Sequence, residues 1–260
     1  MELLEALRLQ WEWGADEALL DAPQDRRHAA PPPPAPENAS PPPARRAAPA
    51  PRAAAMPAGP AEARAAAAAC QSLEELETAM RNFTGCALRD TATQLVFADG
   101  AADARLIIVG EAPGGEEDRA GKPFVGPAGQ LLDKMLGSIG LDRTKVRIIN
   151  TVPWRPPGNR NPTEAEITLC LPFLHRQIAL IAPRGLMALG AVAAKALLPA
   201  EGATGIRRLR GSWREAEIDG LPAPLPCLAT YHPAYLLRTP LAKAEAWRDM
   251  LTLKAWLETA

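Results

Sequence analysis

RLIIVGEAPGGEEDRAGKPFVGPAGQLLDKMLGSIG, residues 105–140, decides how the chain folds. It opens on a short apolar run, Leu106–Val109, and ends that run on Gly110. A turn rich in glycine, proline and acidic residues follows. The stretch closes on a segment whose Leu131, Leu132, Met135, Leu136 and Ile139 share one helical face. An unbroken apolar strand followed by an amphipathic helix signals a strand buried on both sides. The pattern repeats outward. VRIINTV (146–152) reads as a strand and PTEAEITLCLPFLHRQIALIA (162–182) as a long helix, with Thr163 and Glu166 as its capping box. GLMALG (185–190) is a strand running directly into the helix AVAAKALL. A hairpin is expected around 205–219, a last strand at PCLATYH (226–232) and a closing helix over 240–258. This alternation predicts an α/β fold with a parallel sheet covered by helices on both faces. Such sheets bind ligands beyond the carboxyl ends of their strands. Those ends are Gly110–Glu111, Asn150, Gly190 and His232.

Upstream the character changes. Residues 3–20 space Leu3, Leu4, Leu7, Trp11, Ala15 and Leu19 as one amphipathic helix, giving a first unit over 1–21. Residues 22–68 are dominated by proline and alanine, including Pro31–Pro34 and Pro41–Pro43, and read as a disordered linker with too little to bury. The folded domain is expected over 69–260, with Ser72 and Glu75 capping a helix at 73–82. Acidic residues interrupt every apolar run near the amino terminus, so neither a signal peptide nor a membrane span is expected, and the reading is a cytoplasmic protein. Four cysteines, Cys70, Cys86, Cys170 and Cys227, lack the close spacing of a disulfide framework or metal knuckle. The net charge of −1 is not that of a broadly basic nucleic-acid binder, yet four arginines cluster in RRLRGSWR (207–214), a string suited either to phosphates or to a solvated hairpin.

At the strand ends, bland readings compete with functional ones. Gly110–Gly114 could be a tight turn, but it continues through Glu116, Glu117 and Asp118 to Phe124 between Gly121 and Gly126, a plausible pocket wall. Asn150 could cap a turn; its amide could equally pair with a carbonyl and an N–H on a pyrimidine edge. His232 ends the last strand, where ligands bind.

Together, GEAPGGEEDRAGKPFVGPAGQLLDKML, VPWRPPGNRNPTEAEITLC and HPAYLLR resemble the family 4 uracil-DNA glycosylases, from about Cys86 to about Leu251. The resemblance implies a three-layer α/β/α sandwich with a short, mainly parallel sheet. It also implies a monomer that cleaves the N-glycosidic bond of deoxyuridine in DNA, initiating base excision repair. Carried onto this sequence, the uracil contacts are Glu111, Ala112 and Pro113, with Asn159 a further substrate contact. Phe124 stacks on the base, Asn150 reads its edge, and His232 supports the leaving uracil anion as an oxyanion-hole donor. Glu111 would hold water or favour the cationic sugar, with Glu117 assisting. Leu236 and Leu237 would wedge into the duplex while Arg238 holds phosphate, and Arg207, Arg208 and Arg210 extend the DNA contact. Thymine exclusion asks for bulk at the pyrimidine C5; Ala112 is small, leaving Phe124 or Glu117.

The chain departs from the family in one respect. The resemblance implies four cysteine ligands to a structural [4Fe–4S] cluster. Cys86 and Cys170 stand at two of these positions, whereas Phe83 and Trp154 stand at the others and cannot ligate iron. The expectation is an absent or incomplete cluster, with no cofactor required for the chemistry, and the two rings filling its place. Two other functions stay open: a non-turnover uracil-DNA binder, and a glycosylase of broader deaminated-base range. Binder relatives carry a histidine in an inserted loop, and PPGNRNPTEAE has neither insertion nor histidine. The amino-terminal helix could fold back on the domain or dock a protein partner.

Overall fold

The computed structural model describes residues 59–201 and 204–259; the expected helix at 3–20 and most of the expected linker lie outside them. The domain is built on a six-stranded sheet. In chain order the strands are β1 (Asp99–Gly100), β2 (Leu106–Gly110), β3 (Arg147–Asn150), β4 (Gly185–Leu189), β5 (Trp213–Ala216) and β6 (Leu225–Thr230). Across the sheet the order is β1-β3-β2-β4-β6-β5. The four inner strands are parallel, and the two edges, β1 and β5, pair antiparallel. The hairpin is therefore made by β5 and β6, not by residues 205–219; Ile206–Leu209 forms a short helix instead.

Strand residues alternate between two cores, as the period of two in a strand requires. Ile107, Val109, Leu186 and Ala188 face one layer, with Leu174 and Ile178 of the long helix and Ala193 and Leu197 of the helix after β4. Leu106, Ile108, Met187 and Leu228 face the other, with Leu132 and Leu136 on one helix and Met250 and Leu253 on the last. Both faces of β2 and β4 are fully buried. The expected three-layer arrangement is what the chain forms.

Among the described residues ten α-helices accompany the sheet: α1 (Pro60–Ala69), α2 (Leu73–Asn82), α3 (Leu88–Thr91), α4 (Gly115–Ala120), α5 (Pro127–Gly137), α6 (Glu164–Ile181), α7 (Gly190–Leu197), α8 (Ile206–Leu209), α9 (Pro233–Arg238) and α10 (Lys243–Thr259). Thr163 and Glu166 form the reciprocal cap of α6. Ser72 caps α2 by accepting from the Glu75 N–H at 3.1 Å, while the Glu75 carboxylate accepts from Gln71 N–H at 2.6 Å, one residue earlier than the simple box. The linker reading fails over residues 60–68, which belong to α1. Pro60 opens this helix, where its missing N–H costs nothing. Ala63 and Ala67 are buried in a cluster with Leu76, Phe83, Trp154 and Phe173. Tertiary packing against α6, not amphipathicity, selects helix here.

The connections run from β2 towards β3, and from β4 towards β6, so they diverge between β2 and β4. That divergence opens a crevice at the carboxyl ends of these two strands. Ala63 is fully buried at the contact that docks α1. Ala63→Leu overpacks it, and urea denaturation should show a loss of about 1–3 kcal/mol.

Candidate active site

A cavity of about 580 Å³ opens over that crevice, and Glu111, Phe124, Asn150, His232 and Arg238 all line it. The chain brings them together by tying strand ends. Gly110 O accepts from both the Thr151 N–H and the Thr151 hydroxyl, each at 2.9 Å, and Glu111 O accepts from the Val152 N–H at 3.1 Å. These bonds extend the β2–β3 pairing past the sheet and fix Asn150 beside Glu111. Gly110 has to lack a side chain, because a Cβ there would overlap Asn150 Oδ1 and lie 2.6 Å from Phe124 Cε2.

Asn150 is buried, and its Oδ1 has no hydrogen-bond partner among the described residues. An unsatisfied buried acceptor costs about 1–3 kcal/mol, so in a cavity wall it suits a ligand donor. The Phe124 ring stacks on the His232 ring, with centroids 5.5 Å apart and planes inclined by 30°. Phe124 and Asn159 both hold positive φ, 55° and 54°, in the left-handed region that non-glycine residues enter rarely. Both line the cavity, and strain of this kind concentrates at functional sites.

His232 caps α9: its Nδ1 accepts from the Ala234 N–H at 3.2 Å. In the neutral ring the proton therefore sits on Nε2, which becomes a donor. Burial, followed by the positive charge of Arg238, brings the His232 pKa down to about 4, although Glu117 pulls the other way. The ring is thus neutral at physiological pH and donates without carrying charge. Burial raises the Glu111 carboxyl above its ordinary range, with Arg238 opposing. The Glu111 side chain makes no hydrogen bond among the described residues, so its oxygens are available to water.

Glu117 differs from its expected role. Its Oε1 accepts from Val125 N–H at 3.0 Å and Gly126 N–H at 2.9 Å, and its Oε2 from Gly114 N–H at 3.1 Å. A carboxylate engaged by three amides is a brace between two loops rather than a free base. The acidic run that holds it is α4, where Glu116, Glu117 and Asp118 in the first turn complement the helix dipole.

The predicted DNA contacts divide. Arg238 is exposed and lines the cavity, and the neighbouring Leu237 is exposed, but Leu236 is buried with Tyr231, Ala242 and Ala246. Leu236 is core, and only Leu237 can serve as a wedge. Arg207 and Arg208 are exposed on α8. Arg210 is not free for phosphate. It donates through Nε to Asp249 Oδ2 at 3.0 Å, through Nη2 to Asp249 Oδ1 at 2.6 Å, and to the Glu245 carbonyl. Asp249 is 1% exposed and also accepts from the Thr230 hydroxyl. Through Thr230 this pair anchors the end of β6, two residues before His232. Ala112 and Pro113 line the cavity, as does Asn159, whose Oδ1 accepts from Arg155 Nε at 2.7 Å.

Cys86 and Cys170 are buried, and the interaction between the two thiols brings Cys86 down to about 7 and, with burial, pushes Cys170 up. Phe83 and Trp154 are buried in the same cluster, and Phe83 packs edge-on to Phe173 at 5.1 Å. Among the described residues no three His, Cys, Asp or Glu side chains are placed to hold a metal. The donor set does not fit a four-thiolate cluster. Among the described residues, no helix is long and apolar enough to cross a membrane.

Residues 97–251 match the model of the uracil DNA glycosylase superfamily, and the chain belongs to that family. It is 41% identical over 180 residues to a type-4 uracil-DNA glycosylase of Pyrobaculum aerophilum, covering 68% of this chain and 91% of that protein. The type-4 enzyme of Archaeoglobus fulgidus is 40% identical over 182 residues, covering 69% and 90%. That of Thermotoga maritima is 40% identical over 166 residues, covering 64% and 83%.

The His232 geometry sets its pH behaviour. Its pKa lies below the ordinary 6.5, so the unfolded chain binds the extra proton first. The stability this contributes is full above about 6.5 and is lost as the pH falls through about 4. Long-range ¹⁵N–¹H spectra at pH 6 should show a neutral ring protonated on Nε2; an imidazolium at that pH contradicts the assignment.

Proposed function

We propose that this chain is a uracil-DNA glycosylase, acting on uracil-containing DNA to release the free base and leave an abasic site. The observation that carries the reading is the unpartnered Asn150 Oδ1 in the cavity wall. Uracil offers an N3–H donor to that oxygen and an O4 acceptor to the Asn150 amide N–H. Cytosine reverses both, and an unmatched buried polar pair is strongly rejected. Extruding the base from the duplex costs a few kcal/mol, least where uracil is mispaired. Stacking on Phe124 offsets about 1–3 kcal/mol of it, and Leu237 fills the gap left in the helix.

Cleavage develops an oxocarbenium-like sugar and a uracil anion. His232 Nε2–H donates to uracil O2 as negative charge grows there. A neutral donor gains most at the transition state, because it forms no ion pair with the uncharged ground-state base. Glu111 holds the water that attacks the sugar carbon and favours its positive charge. Glu117 shapes the pocket by bracing it. Arg207, Arg208 and Arg238 draw the phosphates to the rim. The amino-terminal segment, residues 1–21, is proposed to dock a protein partner, and the chain to act as a monomer.

The cluster slot is proposed to be metal-free, its anchoring taken over by packed Phe83 and Trp154. Burying two such rings removes roughly 150–250 Å² each from water, enough to substitute for a structural metal. Protein purified anaerobically should contain no iron or inorganic sulfide, and stoichiometric iron would overturn this. Trp154→Ala should cost about 3–5 kcal/mol in denaturant unfolding.

Excision is tested on uracil-containing oligonucleotides. Wild type should release free uracil and leave an abasic site, whereas a stable complex without release would identify a binder. Asn150→Asp and His232→Ala should each lower the single-turnover rate by about 10²–10³-fold. Wild-type rates in both would refute the site.

A further inference from the structure

Phe124 faces the base only because its backbone is held where a side-chain-bearing residue seldom rests, at φ 55°. Glu117 fixes the N–H groups of the two residues after it. Its carbonyl side is held by a residue that does not itself line the cavity. Arg143, in the loop after α5, donates from Nη1 to Pro123 O at 3.2 Å and from Nη2 to Phe124 O. The same guanidinium is itself fixed, by Asp99 at 2.7 Å from Nη1 and by Asp133 at 2.8 Å from Nε. Its side chain is only 25% exposed and does not line the cavity. Gly129 on α5 completes the seat: a Cβ there would overlap the Phe124 carbonyl and come 2.8 Å from its Cα.

We propose that Arg143 is a positioning residue for base recognition, clamping the Pro123 and Phe124 carbonyls so that the Phe124 ring stands ready to stack. The inference rests on the reading that Phe124 stacks on uracil. The planar guanidinium fork meets two carbonyls and two carboxylates at once, which the compact ammonium of lysine cannot. Losing it frees Phe124 to leave the left-handed conformation, and the ring turns from the pocket. The effect is on uracil affinity, because Arg143 touches neither the base nor the sugar.

The test is a double-mutant cycle read as the inhibition constant for free uracil, alongside single-turnover excision at saturating DNA. Phe124→Ala should weaken uracil inhibition about tenfold. Arg143→Lys should weaken it about five- to tenfold, with a smaller loss in the saturated rate. The double variant should be no weaker than Phe124→Ala alone. Gly129→Ala, which displaces the same carbonyl from below, should behave like Arg143→Lys and serves if that variant folds poorly. Ala63→Leu, destabilised at a distant contact, should leave the inhibition constant unchanged. Wild-type inhibition in Arg143→Lys and Gly129→Ala, with Phe124→Ala still weak, overturns the inference and spares the stacking reading. Fully additive losses in the double variant also overturn it. No effect from Phe124→Ala overturns both.

Discussion

The Glu117 carboxylate joins the Gly114 turn to the Val125–Gly126 turn, and the pocket depends on that join. One oxygen fixes the loop leaving β2, which carries Glu111. The other fixes the loop entering α5, which carries Phe124. Loops usually move against each other on a rigid sheet. Here one charge, satisfied by three amides, makes the two move as a unit. Hydrogen bonds to an ionised acceptor are roughly twice as strong as neutral ones, and a partly buried site strengthens them further. Preorganisation of this kind lets the dipoles around the base be aimed before it arrives.

The opposite wall is built differently. β6 delivers His232: its last residue, Thr230, is tied to α10 by its hydroxyl on Asp249, which also pairs with Arg210, and the next residue, Tyr231, by its hydroxyl on Glu245 at 2.7 Å. A buried ion pair is weak evidence for net stability, but it specifies a single arrangement where apolar packing would allow several. The two walls share the stacked Phe124 and His232 rings, so their spacing is set by a contact between residues on different supports.

Much of this was legible in the sequence. The inner strands β2 and β4 are buried throughout, and the ends of all four inner strands carry residues that line the pocket. The long helix α6 carries its cap on its face, in Thr163 and Glu166. Other features were hidden for physical reasons. Helix α1 is nearly all alanine, so no apolar stripe marks it, and its helicity follows from where Ala63 and Ala67 pack. Leu236 and Leu237 are adjacent and chemically identical; only the phase of a short helix sends one inward. Arg210 sits in a run of arginines, and its partner Asp249 is distant in the chain. Glu117 lies among acidic neighbours, with nothing local to single it out. Arg143 reads as an ordinary charged loop residue until its carbonyl partners are seen.

The neutral ring of His232 has a consequence for what can enter. The rim carries the cations, Arg207 and Arg238, while the interior donor carries none. A nucleotide is a charged strand bearing an uncharged ring, and the site separates these two parts by potential. On the proposed reading the strand is held at the mouth, and only its uncharged portion goes further. A free phosphate has no interior counter-ion to reward it for displacing the base. The polarity of the cavity thus sorts a nucleotide into backbone and base before any edge of the pyrimidine is read.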